Sequence, residues 1–262
     1  MYPADEFHRL VNIFNKRFWS TFKSDYITIK KLLDENFHTC SCRSSFLTID
    51  DMLKSLEIDE KAHYLASWET LFTYCEILRN VIDQSFPSII RDDESNDFIK
   101  MILDNMHIIL EKTNHEWAKI KEGYVIVDKN PATTEAIECL EEKDSELALK
   151  MIEYNRVLLK GNLQRKREIL VALADYTEPM SNDFKGTQYT ALYSDSKFLV
   201  NAIDIRHNNS GKGDLPEKAK SWTPQEKEDW YDKTYQVLLT VILARKHMDV
   251  SKEIQDLKPA RK

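Results

Sequence analysis

Residues 59–85 read DEKAHYLASWETLFTYCEILRNVIDQS. Leu65, Trp68, Leu71, Phe72, Cys75, Leu78 and Ile82 recur there at intervals of three and four, which places side chains on one face of an α-helix. A half-buried strand would alternate every second residue instead. The spacing predicts a helix over 59–85 that Pro87 ends, because proline lacks the amide N–H a helix interior needs.

The same period recurs on both sides. Pro3 followed by Asp5 and Glu6 marks a helix start, and Phe7, Leu10, Val11, Phe14, Phe18 and Phe22 form its buried stripe. Thr48 and Asp51 form a capping pair for a short helix through Leu56. A further helix covers Ile99–Lys112. Tyr124–Val127 has strand propensity, flanked by Gly123 and Pro131, and predicts one short β-hairpin near residues 120–130. Beyond it, Pro131 opens a helix to about Glu142, and a long helix from Ser145 is interrupted near Lys160-Gly161-Asn162. Its continuation, Leu163–Thr177, stops at Glu178-Pro179. Residues 181–190 are polar and predict a loop; 191–205 are helical again. Thr223-Pro224-Gln225-Glu226 combines an N-cap, a proline at the first helical position and a glutamate at the third, and opens a last helix to about Met248.

Composition agrees. The chain has 262 residues and 5 glycines, none before Gly123, where average usage would give about 18. That scarcity argues against a Gly-rich dinucleotide turn, a P-loop and most sandwiches and barrels, which need glycine in tight turns. The expected fold is an all-α multi-helix bundle with the one short hairpin.

The formal net charge of −7 is unevenly spread. Residues 156–262 hold 19 basic and 15 acidic side chains, residues 1–155 hold 18 and 29. The sign change predicts a soft division into an acidic N-terminal region, 1–142, and a C-terminal bundle, 143–262. A general nucleic-acid coat does not fit this balance; a local phosphate-contacting surface in the C-terminal half does. The apolar run 237–243 is far shorter than the ~20 residues a membrane span takes. Four cysteines make no disulfide framework in a chain of this length, and MYPADEFHRL lacks the features of a signal peptide. Reducing cytoplasm, with no membrane partner, is the expected location.

Most catalytic templates fail. There is no Gly-x-Ser-x-Gly elbow and no His-Glu-x-x-His, and Glu141-Glu-Lys-Asp144 is a solvated charge run. His38, Cys40 and Cys42 could offer three metal ligands, but no second Cys/His pair stands at zinc-finger spacing, so an ordinary loop without metal or cofactor is expected. The basic run Lys160, Arg165, Lys166 and Arg167 reads either as a track for a phosphate backbone or as a solvated helix face.

One stretch carries a functional signal. Phe198–Ile205 ends an apolar helix in Arg206-His207, then Asn208, Asn209 and a loop with Gly211-Lys212-Gly213 lead to the Trp230-Tyr231 helix. Over roughly 145–262 this resembles the HEPN superfamily and abortive-infection-type proteins of bacterial phage defence. The family pattern is an arginine at a helix end, a polar residue, three to five residues, then histidine. Arg206 matches the arginine and His207 the polar position, while Lys212 stands where the histidine would fall. The resemblance implies a homodimer and a metal-independent endoribonuclease in a defence or toxin-type system. In that reading Arg206 steadies charge on the phosphorane, His207 is the base and Lys212 contacts phosphate. Asn208, Asn209 and the basic run would be further RNA contacts. Two other readings stay open: Arg206 binds the last carbonyls of its own helix, or the chain is a non-catalytic helical interaction module that binds a partner protein or nucleotide.

Overall fold

In the computed structural model, which describes residues 1–89, 93–141, 144–206, 219 and 221–258, the chain is all-α with two short β-hairpins. It divides into two units, Met1–Lys129 and Asn130–Lys262. The charge-based division at 142/143 falls inside the second unit, because the helix over Pro131–Glu141 buries Ala136 and Leu140 in that unit's core.

The first unit opens with α1 (Pro3–Phe14), which buries Phe7, Leu10, Val11 and Phe14. The stripe stops there. Asn15 bonds its side-chain amide back to the Val11 carbonyl at 3.0 Å, and β1 (Arg17–Ser20) and β2 (Asp25–Thr28) follow as an antiparallel hairpin. Phe18 and Phe22, spaced as a continuing helix, are instead a buried inner-face residue and an exposed turn residue. The four-residue interval is compatible with both, and strand pairing of Phe18 with Ile27 decides between them.

Thr28 caps α2 (Ile29–Asn36), and Thr48 caps α3 (Ile49–Ser55) by accepting from Asp51 N–H at 3.1 Å, as expected. The helix predicted over 59–85 starts later. Residues 60–65 form a 3-10 segment kinked at Ala62, leaving Leu65 72% exposed, and α4 spans Trp68–Ile89. Leu71, Phe72, Cys75, Leu78 and Ile82 are buried on one face as spaced. Pro87 sits in the last turn of α4 rather than beyond it. After α5 (Asp93–Thr113), β3 (His115–Ile120) pairs with β4 (Gly123–Asp128), so the strand expected at Tyr124–Val127 has its partner just upstream. Gly123 is needed there: its φ is +144°, and an added Cβ would lie 2.2 Å from Asn80 Oδ1. Asn80 clamps the strand end, accepting from Tyr124 N–H at 2.6 Å and donating to the Tyr124 carbonyl at 2.9 Å.

The second unit contains α6 (Pro131–Glu141), α7 (Ser145–Tyr154), α8 (Leu163–Thr177), the short α9 (Ser181–Phe184), α10 (Thr190–Ala202) and α11 (Pro224–Leu257). The break after α7 comes at Tyr154, earlier than expected, through a 3-10 turn at Val157–Leu159 and Gly161 at φ +81°. Asn162 then caps α8, accepting from Arg165 N–H at 3.0 Å. Met151, Ile169, Leu170, Leu173, Tyr231, Tyr235, Leu238 and Leu239 form the core where α7, α8 and α11 meet. Thr223 and Glu226 make the expected capping box. Among the described residues no helix is long and apolar enough to cross a membrane, and none of the four cysteines is in a disulfide.

Candidate functional site

Helix α10 ends at Ala202, and Asp204 takes a left-handed φ of 62° that turns the chain back. Ile203 and Ile205 plug into the core, and Arg206 N–H closes onto the Val200 carbonyl at 3.1 Å. This anchored turn aims the Arg206 side chain at the end of α8. Its Nη2 donates to Asp175 Oδ1 at 2.6 Å and to Glu178 Oε2. Bonds to Glu178 and Asp175 hold the guanidinium firmly protonated, and Arg206 in turn pulls the Glu178 carboxyl below its ordinary range. Arg206 is thus bound to carboxylates rather than to helix carbonyls.

Both carboxylates occupy the guanidinium, with Lys197 also acting on Glu178, so an incoming phosphate must compete with them for Arg206. The adjoining cavity, lined by Thr177, Glu178, Tyr193, Lys197, Asn201 and Arg206, measures about 20 Å³. That is room for about one water. His207, Asn208, Asn209 and Lys212 lie outside the described residues.

The basic run does not form one ridge. Lys160 is exposed on the turn before α8. Arg165 forks onto Glu153, at 2.6 and 2.8 Å, and reaches Glu168 at 2.9 Å. Arg167 donates from Nε to the Asp204 carbonyl at 2.8 Å, tying α8 to the turn that carries Arg206. Lys166 points inward and is 4% exposed, so it cannot follow a phosphate backbone on the surface.

Lys166 instead centres a network of residues far apart in the chain. Its ammonium lies 2.8 Å from buried Glu228 and 2.7 Å from Asp232, both on α11, and 5.2 Å from the Tyr154 ring centroid. Glu228 also accepts from Gly161 N–H at 2.8 Å, and Tyr154 donates to Asp232 at 2.9 Å. Tyr154 stacks on Tyr235 at 4.0 Å, whose hydroxyl accepts from Asn155 at 2.6 Å. The α7–α8 break and the first turns of α11 are locked together by these bonds. The only advance signal was a lysine on the apolar side of α8, which composition hides.

Cys40 is buried with its thiol 3.2 Å from the Ser85 hydroxyl, and no group of three potential ligands is placed to hold a metal among the described residues. Comparison with family models, characterised proteins and solved structures finds no match.

Proposed function

We propose that this chain is a non-catalytic helical interaction module that pairs with a second copy through the end of α11. The observation that carries this reading is the exposure of that helix end. Beyond Ala244, α11 keeps a core contact through Met248, while Val250, Ile254 and Leu257 form a line at i, i+4 and i+7 that is 40%, 43% and 84% exposed. Leu243, one heptad earlier, is half-buried and packs on the core. Val250 and Leu257 take d and Ile254 takes a of a short seam that ends with the helix at Leu257. A second copy laid in parallel supplies the matching apolar seam.

The ribonuclease reading has one supporting feature: α10, Arg206 and α11 follow in the order the HEPN resemblance requires, with α10 and α11 packed together. Against it, the guanidinium it needs for phosphate is already held by Asp175 and Glu178. One measurement tests the α11 pairing and a second tests the ribonuclease reading. Light scattering of wild type should give a dimer, and Ile254→Lys with Leu257→Lys a folded monomer; a monomeric wild type at all concentrations overturns the proposal. Incubation with total RNA without metal should leave the RNA intact for wild type and Arg206→Ala alike. New RNA ends that vanish in Arg206→Ala would establish the ribonuclease instead.

A further inference from the structure

The β1–β2 hairpin is the basic exception in an acidic region. Residues 16–31 carry five basic side chains (Lys16, Arg17, Lys23, Lys30, Lys31) against the single acid Asp25, although residues 1–155 as a whole hold 18 basic and 29 acidic; of the five, Lys30 is taken up by Asp50 and Glu60. The same hairpin concentrates exposed aromatics: Trp19 is 43%, Phe22 52% and Tyr26 56% exposed. Its inner face does the structural work. Phe18 and Ile27 are each 4% exposed, and Phe18 packs on Phe98 of α5 with ring centroids 5.3 Å apart.

The outer face sets its rings against one another and against cations. Trp19 and Tyr26 stand opposite each other in register, with centroids 5.3 Å apart and planes at 72°. The Arg17 guanidinium lies 5.9 Å from the Tyr26 centroid, and the Lys23 ammonium 5.8 Å from that of Phe22. Lys23 also pairs with Glu35 at 2.7 Å, and Asp25 is engaged by the Tyr26 amide at 2.7 Å. Tyr26 and Phe22 therefore each have a cation beside the ring, and Trp19 stands against Tyr26, on a platform anchored from behind.

We infer that this outer face binds single-stranded nucleic acid, with Trp19, Phe22 and Tyr26 stacking bases and Arg17 and Lys23 meeting the phosphates. An unpaired strand offers what the hairpin matches, base faces alternating with negative charge. A duplex hides its bases, and the acidic surroundings repel its broader backbone. The inference is independent of the α11 reading and of the HEPN resemblance, which does not extend to these residues.

The test is fluorescence anisotropy of the full chain with labelled oligothymidine or oligouridine of about 16 nucleotides, the matching duplex, and phosphatidylserine vesicles in parallel. The single strands should bind at low salt and the duplex more weakly. Trp19→Ala should weaken binding about 5- to 150-fold, as expected for one lost base stack, and Trp19→Phe should retain most of it. Arg17→Gln and Lys23→Gln should each flatten the log–log salt slope by about 0.7. Unchanged melting temperatures show that the variants are folded, as the exposure of these side chains requires. Equal affinity for duplex and single strand, or indifference to Trp19→Ala, reduces the surface to plain electrostatics and overturns the inference. So does binding to vesicles alone, which assigns the hairpin to anionic headgroups.

Discussion

Replacing Lys166 by methionine removes the cation from the α7–α8–α11 network while keeping the length and apolar stem of the side chain. Glu228 is left 6% exposed, with the Gly161 amide as its remaining described partner. Removing one member of a buried pair costs about 3–5 kcal/mol, because the other charge stays buried without compensation. The lower end applies here. Asp232 is half exposed and tolerates losing Lys166, and Glu228 lies near the positive N-terminal end of α11, worth about 0.3–1 kcal/mol to it. A loss of about 3 kcal/mol in a unit of this size lowers the melting temperature by roughly 10 °C.

The pH dependence identifies the cause. In the wild type, burial pushes the Glu228 carboxyl up, but the bond from Lys166, the Gly161 amide and the Lys166 charge outweigh it, and the net shift is downward. A lowered folded value contributes stability that is present above the unfolded glutamate pKa of about 4.3 and is lost as pH falls through the folded value. In Lys166→Met burial dominates and the folded value rises, so the penalty is largest near neutral pH and fades as Glu228 protonates. The deficit should therefore narrow from pH 7 to pH 5. Lys166→Met combined with Glu228→Gln should recover most of the loss at pH 7, a coupling that a double-mutant cycle measures directly. Calorimetry reports the stability change, and hydrogen exchange of the α8 and α11 amides localises it. If Lys166→Met melts within about 0.5 kcal/mol of wild type, or if its deficit is the same at both pH values, the lock contributes nothing and the reasoning fails.

Thr223→Ala removes the N-cap of α11 and should cost about 1 kcal/mol, visible as faster exchange of the first-turn amides. Gly123→Ala forces a Cβ into Asn80 at a φ that L-residues avoid, and should destabilise the β3–β4 hairpin by about 1–3 kcal/mol; an unchanged melt would mean that Asn80 moves aside without loss. Arg206→Ala should return the Glu178 carboxyl from below its usual range to near the ordinary glutamate value, followed by NMR titration. Any stability from that pair is present above the unfolded glutamate value and lost as pH falls through the folded one, so Arg206→Ala should weaken the protein mainly on the neutral side of that range.

Helices were legible in this sequence wherever their cause is local. A repeat of three and four fixes the buried face of α4, and Thr48-x-x-Asp51 and Thr223-Pro-Gln-Glu226 fix two helix starts, because caps act within one turn. The β1–β2 hairpin was not legible, since Phe14, Phe18 and Phe22 fit a helical period, and only pairing with Asp25–Thr28 makes a strand of Arg17–Ser20. Arg206 was visible as a singular residue at a helix end, but not what it touches. Its sign of charge is written in the chain, whereas Asp175 and Glu178 reach it only because the turn at Asp204 folds back on α8. The same holds for the basic run, whose ammonium and guanidinium groups look alike in sequence and separate in the fold. Lys160 faces solvent, Arg165 and Arg167 are paired at the surface of α8, and Lys166 is buried against Glu228. Local periodicity determines which segments become helices because backbone hydrogen bonds join near neighbours. Whether a charge binds a ligand or the protein itself is settled by residues dozens of positions away, which only tertiary packing brings within a few ångströms.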